Sequence, residues 1–209
     1  MKIVFGNQKG GVGKSTLCVL LANYFTLIKK KEVLIMDMDF QKTIEEHRQG
    51  DNTLFEEENE ALPYEILPIE TTEYMEYAKQ IENDGTIVII DLPGRLDDDS
   101  LIPILEDADF VICPFQYEKY AFGSTVTFAK IVKHFDPKKQ IFFVPNKYSN
   151  TIAYGEFKEK ADTILSDYGT VTKPITQRVT LTRINTFQIT EEQKKIVEDV
   201  FDFIYTKIS

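Results

Sequence analysis

Short apolar runs recur along this chain and are separated by longer segments in which apolar and polar residues mix. The runs lie at residues 3–5, 33–36, 86–90, 110–113 and 141–144. Continuous apolar runs of this length are typical of strands that are buried on both faces of a parallel sheet. The segments between them have room for the helices that connect parallel strands. The pattern therefore predicts an α/β fold with a doubly wound, mostly parallel sheet.

The connecting segments carry the apolar periodicity of helices, with about 3.6 residues per turn. We predict helices at Leu17–Ile28, Thr71–Ile81, Asp97–Leu105, Gly123–Phe135 and Tyr154–Tyr168. The acidic residues that open the third of these suit the positive end of a helix, so we interpret them as a cap.

Prolines limit the weaker strands. Pro63 and Pro68 restrict the pairing of a short strand within Leu62–Ile69, and Pro114 is predicted to end the run at 110–113. A last strand-like segment covers Val171–Val179.

The final helix is predicted to begin at Thr190, with Gln193 completing a capping box. Its apolar side chains form one stripe, made by Ile196, Val197, Val200, Phe201, Ile204 and Ile208. The opposite face mixes acidic and basic residues, which does not suit an anionic membrane surface. We therefore predict that the stripe packs against the core.

The composition is that of an ordinary globular protein, because 43% of the 209 residues are hydrophobic and 28% are charged. This length fits one domain that spans residues 1–209. No apolar run reaches the roughly 18 residues of a membrane span, and Met1 opens no leader pattern. We expect a cytoplasmic protein that does not engage a membrane. The two cysteines, Cys18 and Cys113, are predicted to be small buried residues, because their spacing is not that of a zinc site.

Charge is spread unevenly along the chain. Residues 1–123 hold 11 basic and 24 acidic residues, a net charge of −13, and residues 124–209 carry +3. A protein with an overall charge of −10 repels DNA at long range. Any contact with DNA would therefore need a local basic patch.

A glycine-rich stretch, Lys9–Thr16, separates the first apolar run from the first predicted helix. A loop at this place directs backbone N–H groups and the positive end of a helix toward an anion. Its glycines, Gly10, Gly11 and Gly13, let the backbone close around phosphates. Lys14 is then placed to reach the β- and γ-phosphates of a nucleotide, and the Ser15 hydroxyl to bind Mg²⁺. One departure from the P-loop pattern is Gln8, which stands where the first glycine is expected.

The sequence KGGVGKST resembles the deviant Walker A box of the ParA/MinD ATPases. The resemblance implies a P-loop fold that binds ATP and Mg²⁺ through Gly10, Gly11, Val12, Gly13, Lys14, Ser15 and Thr16. It also implies that Lys9 is the signature lysine, which reaches the phosphates of a partner subunit in an ATP-dependent homodimer. The iron–sulfur cluster of one branch of this family is not expected, because Cys18 lies in the wrong place.

Polar residues at the ends of three later strands extend this resemblance. Asp37 and Asp39 resemble the family's D-x-D-P-Q box, with Phe40 in place of proline. The resemblance implies that Asp39 positions the attacking water and that Asp37 supports the metal and the switch loop. Asp91 resembles the Walker B carboxylate that holds Mg²⁺, and Asn146 the asparagine that binds the adenine edge.

The likeness is greatest to small ParA-type partition ATPases, which act in segregation or maintenance of plasmid, chromosome or mobile-element DNA. It implies slow, Mg²⁺-dependent hydrolysis of ATP, a ParB-like centromere-binding partner and non-specific DNA binding. Two alternatives stay open: a MinD-like spatial regulator at a membrane, and a metabolic enzyme such as dethiobiotin synthetase. The candidate DNA contacts are Lys130, Lys133, Lys138, Lys139, Arg178 and Arg183.

Overall fold

Seven parallel strands form the sheet of the computed structural model, which describes residues 1–55, 62–81, 85–94 and 99–208, without the side chains of Leu54 and Phe55. The strands are β1 (Lys2–Phe5), β2 (Val33–Asp37), β3 (Glu65–Pro68), β4 (Ile87–Asp91), β5 (Phe110–Phe115), β6 (Gln140–Pro145) and β7 (Thr170–Val171). Their order in the sheet is β3-β2-β4-β1-β5-β6-β7. The predicted doubly wound parallel sheet is confirmed. Strand β1 lies between β4 and β5, so the loop that follows it opens at the middle of the sheet.

Seven α-helices in the described residues connect and cover these strands. They are α1 (Lys14–Asn23), α2 (Thr43–Phe55), α3 (Tyr74–Gln80), α4 (Leu101–Asp107), α5 (Phe122–Phe135), α6 (Gly155–Ser166) and α7 (Glu191–Ile208). A π-helical turn, Tyr24–Ile28, extends α1, and short 3₁₀ helices cover Thr71–Glu73 and Val179–Thr182. Within the described residues, none of these helices is long and apolar enough to cross a membrane.

Successive side chains of each strand enter two different cores, as the period of two of a strand requires. In β1, Ile3 and Phe5 pack under α1, α2 and α7, whereas Val4 packs under α3, α4, α5 and α6. Both faces of the central strands are therefore buried, which explains why their sequences read as continuous apolar runs.

Helix α2 was not predicted, because the segment after β2 is polar and acidic. Its stability comes from polar contacts that periodicity does not reveal. The guanidinium of Arg48 donates to the Thr186 hydroxyl and carbonyl, and Asp51 accepts hydrogen bonds from the Thr186 N–H and hydroxyl. Arg48 also lies over the rings of Tyr64 and Phe187. These contacts fix α2 against the segment that precedes α7.

Pro114 does not end its strand, contrary to prediction, because β5 continues to Phe115. The backbone carbonyls of Ile112 and Pro114 face the β1 side, where they accept from Gly6 N–H and from the Asn7 side chain. Strand β1 has already ended at this level, so the N–H that proline lacks would have had no strand partner there.

The predicted strand at 171–179 is mostly wrong. Strand β7 contains only Thr170 and Val171, and a single isolated bridge joins Thr176 to Tyr148. Beyond Val171, Ile175 and Gln177 still form backbone hydrogen bonds with Pro145 and Tyr148, but the segment does not continue as a regular strand.

The prediction for the last helix is confirmed. Gln193 and Thr190 exchange the two hydrogen bonds of a capping box at the start of α7. Val197, Phe201 and Ile204 are buried in the core beside α1. The apolar stripe is thus used for packing within the chain.

The acidic helix start predicted at Asp97 and Asp98 lies outside the described residues. Helix α4 begins at Leu101, and the carbonyl of Asp99 accepts the N–H of Ile102. The Ser100 hydroxyl donates to the Thr71 hydroxyl, so it contributes a contact to the neighbouring 3₁₀ helix.

Candidate functional site

The loop between β1 and α1 has the backbone conformation that its glycines allow. Gly11 and Gly13 have φ values of 76° and 92°, which residues with a Cβ seldom adopt. A Cβ on Gly13 would also lie 2.4 Å from the side-chain nitrogen of Asn146. Lys14 and Ser15 follow as the first residues of α1, so they stand at the positive end of that helix.

A cavity of about 530 Å³ opens beside this loop at the carboxyl edge of the sheet. Its volume is in the range of small-molecule sites. Of the predicted nucleotide and catalytic residues, those that line it are Gly10, Gly11, Gly13, Lys14, Ser15, Thr16, Asp39 and Asn146. These eight residues converge on one cavity from the loops after β1, β2 and β6, whereas Lys9, Val12, Asp37 and Asp91 do not line it.

Asp91 lies at the end of β4 and is fully buried, yet neither carboxylate oxygen has a hydrogen-bond partner among the described residues. Burial raises the pKa of Asp91 to about 7, although the nearby Ser15 hydroxyl and Lys14 ammonium lower it. A buried carboxylate without a partner is costly and indicates that a cation or water belongs beside it. The described residues contain no group of three or more His, Cys, Asp and Glu side chains suited to hold a metal. One carboxylate and one hydroxyl fit Mg²⁺, which usually retains waters and binds substrate phosphates.

Asp37 and Asp39 have different surroundings, although they are two residues apart. The buried Asp37 carboxylate accepts N–H groups of Asp39, Ile44 and Glu45, and thereby fixes the loop and the start of α2. Burial raises its pKa, while these backbone contacts and Lys42 lower it. Asp39 is half-buried, lines the cavity and accepts the N–H of Gln41. Asp37 therefore shapes the loop that carries Asp39 into the cavity.

The side-chain nitrogen of Asn146 donates to the carbonyl of Val12, at 2.8 Å. The residue lines the cavity, but the amide that was predicted to bind adenine is used here on the glycine-rich loop. The role of Asn146 in reading a base stays a prediction.

Lys9 is exposed and does not line the cavity of its own chain. Its N–H donates to the Asn7 side chain, which in turn is fixed to Pro114 and Thr125. The backbone at Lys9 is thus anchored, while its side chain faces the outside of the loop.

Two basic residues proposed as DNA contacts have other surroundings. The Lys139 ammonium is buried, donates to the carbonyls of Glu106 and Ala108, and pairs with Asp136. It is therefore not available to DNA, and that prediction is wrong. Arg178 is exposed but lines the cavity beside the glycine-rich loop.

The sequence interpretation missed several residues of the cavity wall. They are Leu17, Gln41, Thr43, Gly94, Lys147, Gln177, Arg178, Leu181 and Thr182. Lys147 could have been found, because it follows Asn146 directly at the end of a predicted strand. The residues from 177 to 182 are adjacent to no recognised motif, so the sequence gives no reason to place them at the cavity.

The geometry can bind an anion and a divalent cation side by side. The glycine-rich loop and Lys14 supply positive potential for phosphates. The buried Asp91 and the neighbouring Ser15 can supply oxygen ligands for a cation, and Ser15 and Asp39 line the cavity itself. This combination suits phosphoryl transfer, in which positioning and charge stabilisation dominate catalysis.

The fold occurs in several solved structures. A plasmid partition protein from Borrelia burgdorferi, bound to AMPPNP, superposes with a TM-score of 0.76 at 21% identity, over 99% of this chain and 98% of that one. McdA from Cyanothece, in an ATP complex of a variant, gives 0.76 at 13% identity over 100% and 96%. The MinC:MinD complex from Aquifex aeolicus gives 0.71 at 16% identity over 98% and 96%. No curated protein sequence matches the chain.

The sequence profile of the CobQ/CobB/MinD/ParA nucleotide binding domain matches residues 3–190. The match covers the glycine-rich loop, all seven strands and six of the helices described above. This chain therefore belongs to the CobQ/CobB/MinD/ParA nucleotide-binding domain family, and its structural relatives include plasmid partition proteins of the ParA type.

Proposed function

We propose that this chain is a ParA-type ATPase that binds ATP with Mg²⁺, hydrolyses it slowly and dimerises while ATP is bound. Its role would be the segregation or maintenance of plasmid, chromosome or mobile-element DNA. The observation that carries the proposal is the cavity lined by the glycine-rich loop, Lys14 and Ser15, with the buried, unpartnered Asp91 carboxylate beside Lys14 and Ser15. The AMPPNP bound to the Borrelia partition protein supports the choice of ATP.

The residues of this chain would share the work of catalysis. Lys14 and the loop amides would bind the phosphates, and the Thr16 hydroxyl would lie toward the α-phosphate. Asp39 would orient the attacking water. Asp91 and Ser15 would hold Mg²⁺, which supplies charge neutralisation for the phosphates.

Dimerisation is supported by the surface around the cavity. Four large apolar side chains are exposed in the segments that follow strands at this edge: Phe40 (72%), Tyr120 (100%), Ile152 (56%) and Val179 (68%), the last of which begins a 3₁₀ helix. Exposed apolar residues grouped beside a site are typical of an interaction surface. The exposed Lys9 lies at the same edge, where its ammonium would reach the phosphates bound by a second copy. A cation supplied across an interface raises the rate of related phosphoryl transfers by ~10³–10⁵.

The partner classes follow from the proposal and from the charge distribution. A ParB-like centromere-binding protein would stimulate hydrolysis, and the ATP-bound dimer would bind DNA without sequence preference. Of the six candidate DNA contacts, Lys139 is excluded by burial. The five that remain are Lys130, Lys133, Lys138, Arg178 and Arg183. The MinD-like alternative loses support, because the apolar side of α7 is packed in the core.

The test is the mass of the protein with and without ATP and Mg²⁺, measured by light scattering, together with phosphate release. We expect a dimer and slow release for the wild type. The variant Lys9→Ala should still bind ATP but remain a monomer and lose phosphate release. An unchanged dimer in this variant would contradict the role of Lys9, and absence of ATP binding by the wild type would refute the proposed function. A chain that turns over only with a small carboxylated substrate and ignores DNA would favour the synthetase alternative.

A further inference from the structure

Three side chains from two neighbouring strand ends donate hydrogen bonds to backbone carbonyls of the glycine-rich loop. Lys147 donates to the carbonyl of Gly11 at 2.7 Å, and Gln116 donates to the same oxygen at 3.3 Å. Asn146 donates to the next carbonyl, that of Val12. Gln116 follows β5, whereas Asn146 and Lys147 follow β6. We call these three residues the loop brace.

The brace fixes the direction of the loop's N–H groups. A trans peptide unit is planar, so its N–H points opposite to its carbonyl, and the described chain contains no cis peptide. With the carbonyls of Gly11 and Val12 held by the brace, the N–H groups of Val12 and Gly13 point to the other side. A group of N–H donors fixed in this way forms a concave anion site before the anion arrives.

Lys147 differs from the other two brace residues in its backbone conformation and in its charge. It has a φ of 53°, in the left-handed region that residues other than glycine seldom adopt. Its ammonium forms no ion pair with a described residue and is used on a backbone carbonyl. A charged donor makes a stronger hydrogen bond to a carbonyl than a neutral amide does. The left-handed backbone at Lys147 thus occurs at the residue whose ammonium contacts the glycine-rich loop.

We propose that Lys147 is a positioning residue that holds the glycine-rich loop in its phosphate-binding conformation before nucleotide arrives. The ammonium acts through the Gly11 carbonyl and adds positive charge to the phosphate region. This inference rests on the proposed function, because it assigns Lys147 a part in ATP binding. It differs from the roles of Lys14 and Lys9, which act on the phosphates themselves.

The experiment compares nucleotide affinities of Lys147→Met with those of the wild type, measured by calorimetry with ATP and with ADP. Loss of a charged hydrogen bond that organises the loop should weaken both nucleotides about tenfold. The two losses should be equal, because the loop binds the α- and β-phosphates that both nucleotides carry. Lys147→Arg should restore most of the affinity, because it keeps a charged donor at this position.

The matched control is Lys30→Met. Lys30 has nearly the same backbone conformation, with a φ of 55°, but it lies beyond the π-helical turn at the far end of α1. This variant should bind both nucleotides as the wild type does. Gln116→Leu should give a smaller loss than Lys147→Met, because it removes a neutral donor at a longer distance.

The outcomes separate the two proposals. If the wild type binds no ATP, the proposed function fails. If the wild type binds ATP and Lys147→Met binds it equally well, only the role of Lys147 fails. A loss confined to ATP, with ADP unaffected, would overturn the positioning role, because Lys147 would then act on the γ-phosphate directly.

Discussion

Two buried carboxylates, Asp51 and Asp91, have opposite surroundings. Asp51 of α2 accepts two hydrogen bonds from Thr186, at 2.7 and 2.8 Å, and the same hydroxyl joins it to the Arg48 guanidinium. Asp91 of β4 is more deeply buried and has no hydrogen-bond partner among the described residues. The first carboxylate completes a structural network. The second accepts no such bonds, so an unsatisfied buried group marks the candidate site better than burial or charge alone.

The largest effect on stability is expected for Asp51→Ala. It would leave the Thr186 N–H without its acceptor and the buried Arg48 without an anion nearby, which should cost about 3 kcal/mol. Unfolding in urea measures the loss, and the affinity for ATP of the folded fraction should not change. The control is Asp199→Ala, which removes an exposed ion pair with Lys173 and should cost under about 1 kcal/mol. A loss that small for Asp51→Ala would refute the structural interpretation.

An intermediate effect of opposite sign is expected for Asp91→Asn. Because burial raises the pKa of Asp91 to about 7, the folded protein above pH 7 carries an unpaired buried charge. Between about pH 4 and pH 7 the folded state holds a proton on Asp91 that the unfolded state has already lost. The free energy of unfolding therefore falls as the pH rises through this range. The neutral amide should therefore stabilise the nucleotide-free protein by about 1–3 kcal/mol at pH 8 and by little at pH 4.

The same variant should lose the stabilisation that Mg²⁺ and ATP give the wild type. Thermal unfolding at pH 8, with and without Mg²⁺ and ATP, measures both effects. An Asp91→Asn protein that is less stable than the wild type without nucleotide would show that the carboxylate has a structural partner. The comparison with Asp51 would then no longer hold.

The smallest effect is expected for Tyr64→Phe, which removes one neutral contact beside the Asp51 network. The Tyr64 hydroxyl donates to the Asn23 side chain at 2.9 Å, in a buried position. Leaving that acceptor unpaired should cost about 1 kcal/mol. Tyr120→Phe, which changes a fully exposed hydroxyl, should not alter the unfolding midpoint. Equal midpoints for both variants would indicate that the Asn23 oxygen finds another donor.

The sequence was sufficient to predict the sheet, most helices and the glycine-rich loop between β1 and α1. The strands were predictable because both faces of β1, β2 and β4 are buried, which makes their sequences continuously apolar. The capping box of α7 was predictable because its two partners lie three residues apart. The sequence signal for each of these features is contained within a few consecutive residues.

Features that depend on distant partners were not predictable. Helix α2 is fixed by contacts with Thr186, which lies 138 residues after Arg48. The burial of Lys139 depends on the carbonyls of Glu106 and Ala108, in a different helix and loop. The extension of β5 through Pro114 depends on where β1 ends. No local pattern carries this information, because the residues involved meet only when the chain is folded.

The brace on the glycine-rich loop has a consequence for the order of events during synthesis. Gly11 and Val12 are made early, but the side chains that hold their carbonyls come 136 and 134 residues later. Strand β1 likewise needs β4 and β5 on its two sides. A nascent chain that has emerged only as far as α5 would carry the whole glycine-rich loop and Gln116, but not the Asn146 and Lys147 side chains that also hold it. The capacity to capture nucleotide should therefore arise late in translation, once β6 has left the ribosome.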